Sequence, residues 1–266
     1  MGIGSGDPEH LTVQAIAELN AADVVFMLDK GEDTRELIDV RREICDRYIT
    51  GPCRIVTATD AQRDRTAADY TAAVEYWRAQ RADIYLHLIR SELGEDQRGA
   101  FLAWGDPAFY DSTLHVLRDV QARGTVPFGM RVIPGISSIQ VLAAQHQISL
   151  TRTGRPLHIT TGRRLAAEGF PVGADDVIVM LDARAAFAAA GPADEIYWGA
   201  YLGTPDEIVI SGLVAEAAPR IIAARDAARA RHGWIMDTYL LRRAGDGGSA
   251  PDDDGSGERA AQGSSV

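Results

Sequence analysis

Short apolar runs alternate with stretches of helical period from the first residues to Arg243, the pattern of a layered α/β fold. The runs predict strands at 24–28, 99–104, 130–133, 157–161, 177–181, 195–202 and 234–241. Between them the helix starts are marked. Asp33 followed three residues later by Glu36 predicts a capping box, with Leu37, Val40, Ile44 and Tyr48 on one apolar stripe behind it. Asp111 precedes a second stripe of Leu114, Leu117 and Val120, and Gly124 supplies a left-handed stop. Strand character is lost after Gln140 and returns at Leu157, which predicts a domain boundary near residue 150, dividing 1–150 from 151–243. Residues 244–266 are Gly, Ser, Asp and Ala with almost no large apolar side chain, and are expected to form a disordered acidic tail.

Three turns interrupt this pattern where strands pass into helices. The first, GIGSGDPEHLT from Gly2 to Thr12, is a Gly-rich bend ahead of a helix with acidic residues in its first turn. Such a bend admits a flat or anionic ligand close to the backbone, or is simply a tight strand-to-helix turn. The second, WGDPAFYDST from Trp104 to Thr113, sits where a buried strand ends, the position at which open α/β sheets bind ligands. Gly105 and Pro107 turn the chain, Asp106 can accept hydrogen bonds or favour a positive centre, and Phe109 and Tyr110 supply apolar cover. The third, VIPGISSIQ from Val132 to Gln140, turns at Pro134 and Gly135 and offers Ser137 and Ser138 as short donors, or as helix caps.

Composition narrows the chemistry. A net charge of -11 argues against generic nucleic-acid binding, which draws on Lys and Arg against phosphates. No run of about 18 apolar residues predicts a membrane span, and no signal-peptide pattern opens the chain, so the cytoplasm is the expected compartment. Cys45 and Cys53 lack zinc or disulfide spacing and are expected to be free, and the six histidines form no ligand cluster, so no metal is expected. Among 27 basic residues Lys30 is the only lysine, which makes it a candidate for a task arginine cannot perform.

The three turns, in this order and spread over about one hundred and thirty residues, resemble those of the tetrapyrrole methylases, whose pattern is GxGxGDPxxLT, then GDPxxY, then PGxSS. The resemblance covers residues 1–243. It implies two α/β domains with S-adenosylmethionine in the cleft between them, within a homodimer. Carried over by position, the cofactor-lining residues are Gly105, Asp106, Phe109, Ser137 and Ser138, with Met180, Leu181, Tyr201 and Met236 from the second domain. The Gly-rich loop, with Gly4 and Asp7, resembles the family's substrate-side loop. Only Met1 to Ile3 precede it, where the family has a full strand. That departure implies either a misassigned start or a sheet short of most of one strand.

Within the family the stretches LDKGEDTRELIDVRREIC, AFLAWGDPAFYDST, VIPGISSIQ and HITTGRRL look most like the members that methylate precorrin-5 at C1 with loss of acetate. Asp7, Lys30 and Tyr110 are then the catalytic candidates, all at loop ends on one side. Arg163 and Arg164, which follow the TTG turn, and Arg41 or Arg42 are candidates for binding substrate carboxylates, against the plain alternative of solvated helix faces. Two other readings stay open: a sister methyltransferase of different regiospecificity, and a protein that binds S-adenosylmethionine without turnover. A phosphate-cradling nucleotide enzyme is disfavoured, because no G-x-x-x-x-G-K-[ST] loop is present.

Overall fold

The computed structural model describes residues 1–29, 31, 35–62 and 69–244. Lys30, the cap expected at Asp33 and the tail from residue 245 lie outside the described residues.

Among the described residues two sheets form. The first holds β1 (Val24–Asp29), β2 (Arg54–Thr59) and β3 (Gly99–Phe101) in the order β2-β1-β3, all parallel. Parallel neighbours need crossovers, supplied by α2 (Arg35–Tyr48) and α3 (Tyr70–Glu92). The expected stripe of α2 is realised, with Ile38, Ile44 and Cys45 buried and Val40 and Tyr48 packed against them. The central strand β1 is apolar and buried, as a strand covered on both faces must be. Two clusters cover it. One gathers Leu19, Val25, Met27 and Ile44, with α1 (Val13–Asn20) and α2. The other gathers Phe26, Tyr85, Leu88 and Phe101, with α3 and α4 (Thr113–Ala122).

The second sheet has the order β4-β5-β8-β6-β7, from β4 (Leu157–Thr161), β5 (Asp176–Met180), β6 (Glu195–Ala200), β7 (Ile208–Leu213) and β8 (Asp237–Arg242). β4 and β5 are parallel and the other pairings antiparallel. One face packs on α6 (Gly162–Glu168) and α7 (Val214–His232), and the other receives α5 (Ser138–His146), whose Ile139 and Leu142 meet Ile178, Leu202 and Leu240. Helix α5 precedes residue 150 in the chain yet packs on the second sheet. No described helix is long and apolar enough to cross a membrane.

Two expectations are corrected. No strand forms at 130–133: the space between this stretch and β3 is a groove of about 860 Å³, and the stretch's carbonyl at Ile133 accepts from Gly2 N–H (2.9 Å). An apolar run becomes a strand only beside a partner. Conversely β2 and β7, not expected, are edge strands with half-exposed side chains, which blurs their apolar signature. As expected, Asp111 caps α4 by accepting from Thr113 N–H (2.7 Å), with Ser112 between them already at helical angles, and Gly124 stops the helix at φ 65°.

Candidate active site

The three turns converge. Gly4 N–H donates to the Gly105 carbonyl (3.3 Å) and Gly105 N–H returns a bond to Gly4 O (2.7 Å). Asp106 Oδ2 accepts from Gly135 N–H (2.8 Å) and its Oδ1 from Ala108 N–H (2.7 Å). These contacts need glycine. A Cβ on Gly135 would lie 2.3 Å from Gly105 O, and one on Gly2 would lie 2.6 Å from Gly135 N. The three backbones therefore touch, and α5 starts directly from this node with a full capping box between Ser137 and Gln140.

Residues from the second sheet close on the same place. The Ser138 and Thr238 hydroxyls are 2.9 Å apart, and Phe109 and Met180 pack on one apolar cluster with Leu142 and Leu240. Leu181, one residue past β5, is 58% exposed and held at φ 55°. A left-handed leucine costs on the order of 1–2 kcal/mol, and its neighbour Asp182 fixes it. The Asp182 carboxylate accepts from Arg184 N–H (2.9 Å), Ala186 N–H (2.7 Å) and the Tyr239 hydroxyl (2.6 Å), and its carbonyl accepts from Arg225 (2.6 Å). Arg225 also pairs with buried Asp237, which accepts from Trp198 Nε1 (2.8 Å). Burial pushes the Asp237 carboxyl up to about 6, against the pull of Arg225 and Trp198.

The charges of Tyr110, in the second turn, and Arg164, on α6, influence one another. Burial raises the Tyr110 phenol above its ordinary value, and Arg164 opposes the rise. Tyr110 also stands at φ 49°. Among the described residues the non-glycine positions with positive φ are Asp96, Tyr110, Gln147, Leu181, Ala185 and Tyr201; Tyr110, Leu181 and Tyr201 are also expected site residues, and backbone strain is often found at functional sites. Arg164 itself is exposed and bridges Glu168 (3.0 Å) within α6, and Arg163 is exposed beside it.

Other expected residues are placed differently. Tyr201 is buried with its hydroxyl on Trp234 O (2.6 Å) and its ring against His232 and Trp234, while its N–H meets Met236 O (3.0 Å). Its side chain is therefore apart from the Phe109 and Met180 cluster. Asp7 caps the short 3-10 turn Pro8–His10 through Glu9 N–H (2.8 Å), and the loop behind it packs on Gly203 and Thr204. Arg41 lies inward: Nη1 donates to Leu37 O (2.7 Å), and the guanidinium stands 5.8 Å from the Trp104 ring. Burial draws its pKa down, and Asp111 is the largest opposing charge. Arg42 is exposed on α2. Sequence reasoning passed over Thr238, a small hydroxyl residue in the DTYLLR strand, and Asp182, whose partners lie far along the chain. Among the described residues no group of three or more His, Cys, Asp and Glu side chains can hold a metal ion.

Residues 1–218 match the family model described as Tetrapyrrole (Corrin/Porphyrin) Methylases. The chain belongs to the tetrapyrrole methylase family. This methylase is 54% identical to a precorrin-6A synthase [deacetylating] from Sinorhizobium sp, over 92% of this chain and 95% of that relative. Among solved structures it resembles a cobalamin-synthesis-related protein from Corynebacterium diphtheriae, at TM-score 0.78 and 37% identity over 91% of this chain and 95% of that one. The fold is shared more distantly with a Thermus thermophilus uroporphyrin-III C-methyltransferase, solved with S-adenosylhomocysteine, at TM-score 0.56 and 19% identity over 91% and 95% of the two chains.

Proposed function

We propose that this methylase converts precorrin-5 to precorrin-6A, in the aerobic route to cobalamin, by S-adenosylmethionine-dependent methylation at C1 with release of acetate. The observation that carries this reading is the 54% identity to the deacetylating synthase over nearly the whole of both chains. The converging turns support it: Gly105, Asp106, Phe109, Ser137, Ser138, Met180 and Leu181 form a cradle of close backbone and apolar side chains suited to a flat cofactor with a charged centre.

S-adenosylmethionine supplies an already activated methyl group, so the protein's contribution is orientation and exclusion of water more than covalent chemistry. The acetyl group leaves by hydrolysis: one water is consumed, the bond from ring to acetyl carbon breaks, and acetate departs. On this reading the Tyr110 phenol donates a hydrogen bond to the acetyl oxygen and Arg164 takes a substrate carboxylate; partial burial, which raises the Tyr110 pKa, supports the first role. Lys30, Asp7, Gly4, Arg163 and Arg41 belong to the same reading as substrate-side residues, and Tyr201 and Met236 as the cofactor side of the second domain. So do the division into domains at about residue 150, a homodimer and a cytoplasmic location.

The test is incubation of the purified protein with precorrin-5 and S-adenosylmethionine, following product mass and free acetate together. Methylation with stoichiometric acetate is expected. Methylation without acetate moves the chain to a sister methyltransferase, and cofactor binding without any product leaves a binding protein.

A further inference from the structure

Behind the Tyr110 turn lies a buried polar node that the reaction as described does not use. Arg81, on α3, is 4% exposed, and the Asp60 side chain is fully buried. The guanidinium makes three divergent contacts: Nε to Asp60 Oδ1 (2.7 Å), Nη2 to the Tyr85 hydroxyl (2.9 Å) and Nη1 to the Ser112 hydroxyl. The rings of Trp77 and Tyr85 flank it at 5.1 and 5.2 Å. Asp60 follows β2, and its N–H donates to Asp29 O at the end of β1 (2.7 Å). One arginine thereby joins the ends of β1 and β2 to the residue preceding α4, two residues beyond Tyr110.

Ser112 gives the node its meaning. It precedes α4 with helical angles (φ -96°, ψ -7°) and makes no capping bond, because Asp111 accepts from Thr113 N–H (2.7 Å) and caps the helix in its place. Ser137, at the N-cap of α5, makes the full capping box. With the cap of α4 supplied by Asp111, the Ser112 hydroxyl is given over to Arg81. A buried ion pair is a weak source of stability, and its better attested use is to specify one arrangement. The arrangement specified here is the left-handed Tyr110 turn.

We propose that Arg81 is a positioning residue for methyl transfer and deacetylation, acting through Ser112 to hold Tyr110 against the substrate. This rests on the reading of Tyr110 given above. Of the proposed cofactor residues only Phe109 lies beside Tyr110, and its side chain is held by the apolar cluster with Leu142, Met180 and Leu240, while Gly105 bonds Gly4 and Asp106 bonds Gly135, so cofactor affinity and turnover separate when the node is cut.

The experiment compares Ser112→Ala, Ser112→Thr and Arg81→Lys in the full chain. Precorrin-5 turnover, S-adenosylmethionine affinity by calorimetry and amide exchange over residues 108–113 are read for each. Ser112→Ala and Arg81→Lys are expected to lower kcat by about tenfold to a hundredfold, the scale of a slightly misplaced reacting group. The cofactor Kd is expected to stay within about twofold, exchange at 108–113 to rise, and Ser112→Thr, which keeps the hydroxyl, to recover most of the rate. Wild-type kcat in both Ser112→Ala and Arg81→Lys overturns the proposal. So does an equal loss of kcat and cofactor affinity, or a threonine variant no better than alanine. If the wild-type protein itself yields no deacetylated product, the functional reading fails. The exchange data then decide the positioning claim alone, and unchanged protection at 108–113 refutes it.

Discussion

Gly135→Ala tests the claim that the three turns form one rigid node. The added Cβ falls 2.3 Å from Gly105 O, 2.8 Å from Gly2 Cα and 2.9 Å from Gly2 C. All three are backbone atoms, so no side chain can rotate away and the turns must part. Overpacking of this kind costs about 1–3 kcal/mol, and parting the turns also strains the charge-assisted bond from Gly135 N–H to Asp106, worth about 1.5–3 kcal/mol. The sum, about 2.5–6 kcal/mol, is a large share of a domain's stability and corresponds to a melting temperature lower by roughly 5–20 °C for a chain of this size. The control is Gly124→Ala. Gly124 is also a turn glycine, at φ 65°, but nothing lies within 4 Å of its Cβ position, so only backbone strain of about 1–2 kcal/mol applies. Thermal unfolding of both variants and S-adenosylmethionine titration calorimetry make the measurement. Gly135→Ala is expected to melt well below Gly124→Ala and to lose cofactor affinity at least about tenfold, an energy of about 1.4 kcal/mol. If the two melt together, or if Gly135→Ala binds cofactor as the wild type does, the node is not the rigid unit inferred from its contacts.

Two further outcomes are expected. Because burial raises the Asp237 carboxyl to about 6 in the folded state, above its unfolded value, the group favours folding at low pH. That contribution is lost as pH rises from about 4 to about 6, by roughly 3 kcal/mol, so the stability gap between wild type and Asp237→Asn, measured by urea unfolding, should narrow over that window; a constant gap refutes it. Cys45 is 1% exposed, with its thiol pushed up to about 12 by burial, so iodoacetamide at about pH 8 should label Cys53 first and reach Cys45 only in denaturant, as peptide mass mapping will show.

Much of the site was legible because its signals are local. Gly105, Asp106, Gly135 and Ser137 do in the structure what their residue types suggest within a few positions: turn, accept and cap. The central strands were legible for the same reason, being continuous apolar runs. What escaped depends on partners elsewhere in the chain. β2 and β7 are edge strands whose outward residues dilute the pattern, and residues 130–133 carry a strand pattern without the neighbour that makes a strand.

Polar side chains show the limit most sharply, since their role is set by which donor or acceptor they find. Ser112 and Ser137 are both serines at helix starts, yet one caps its helix and the other reaches Arg81, 31 residues back. Ser138 meets Thr238 from 100 residues away, and Tyr201 turns its hydroxyl from the expected cofactor cleft to Trp234 O. In each case the unsatisfied alternative would leave a polar group buried without a partner, at a cost of about 1–3 kcal/mol. The fold therefore selects the pairing before chemistry can use the residue. A hydroxyl relieved of capping by its neighbour, as Ser112 is by Asp111, is thus informative: its bond to Arg81 ties the start of one helix to a distant part of the chain.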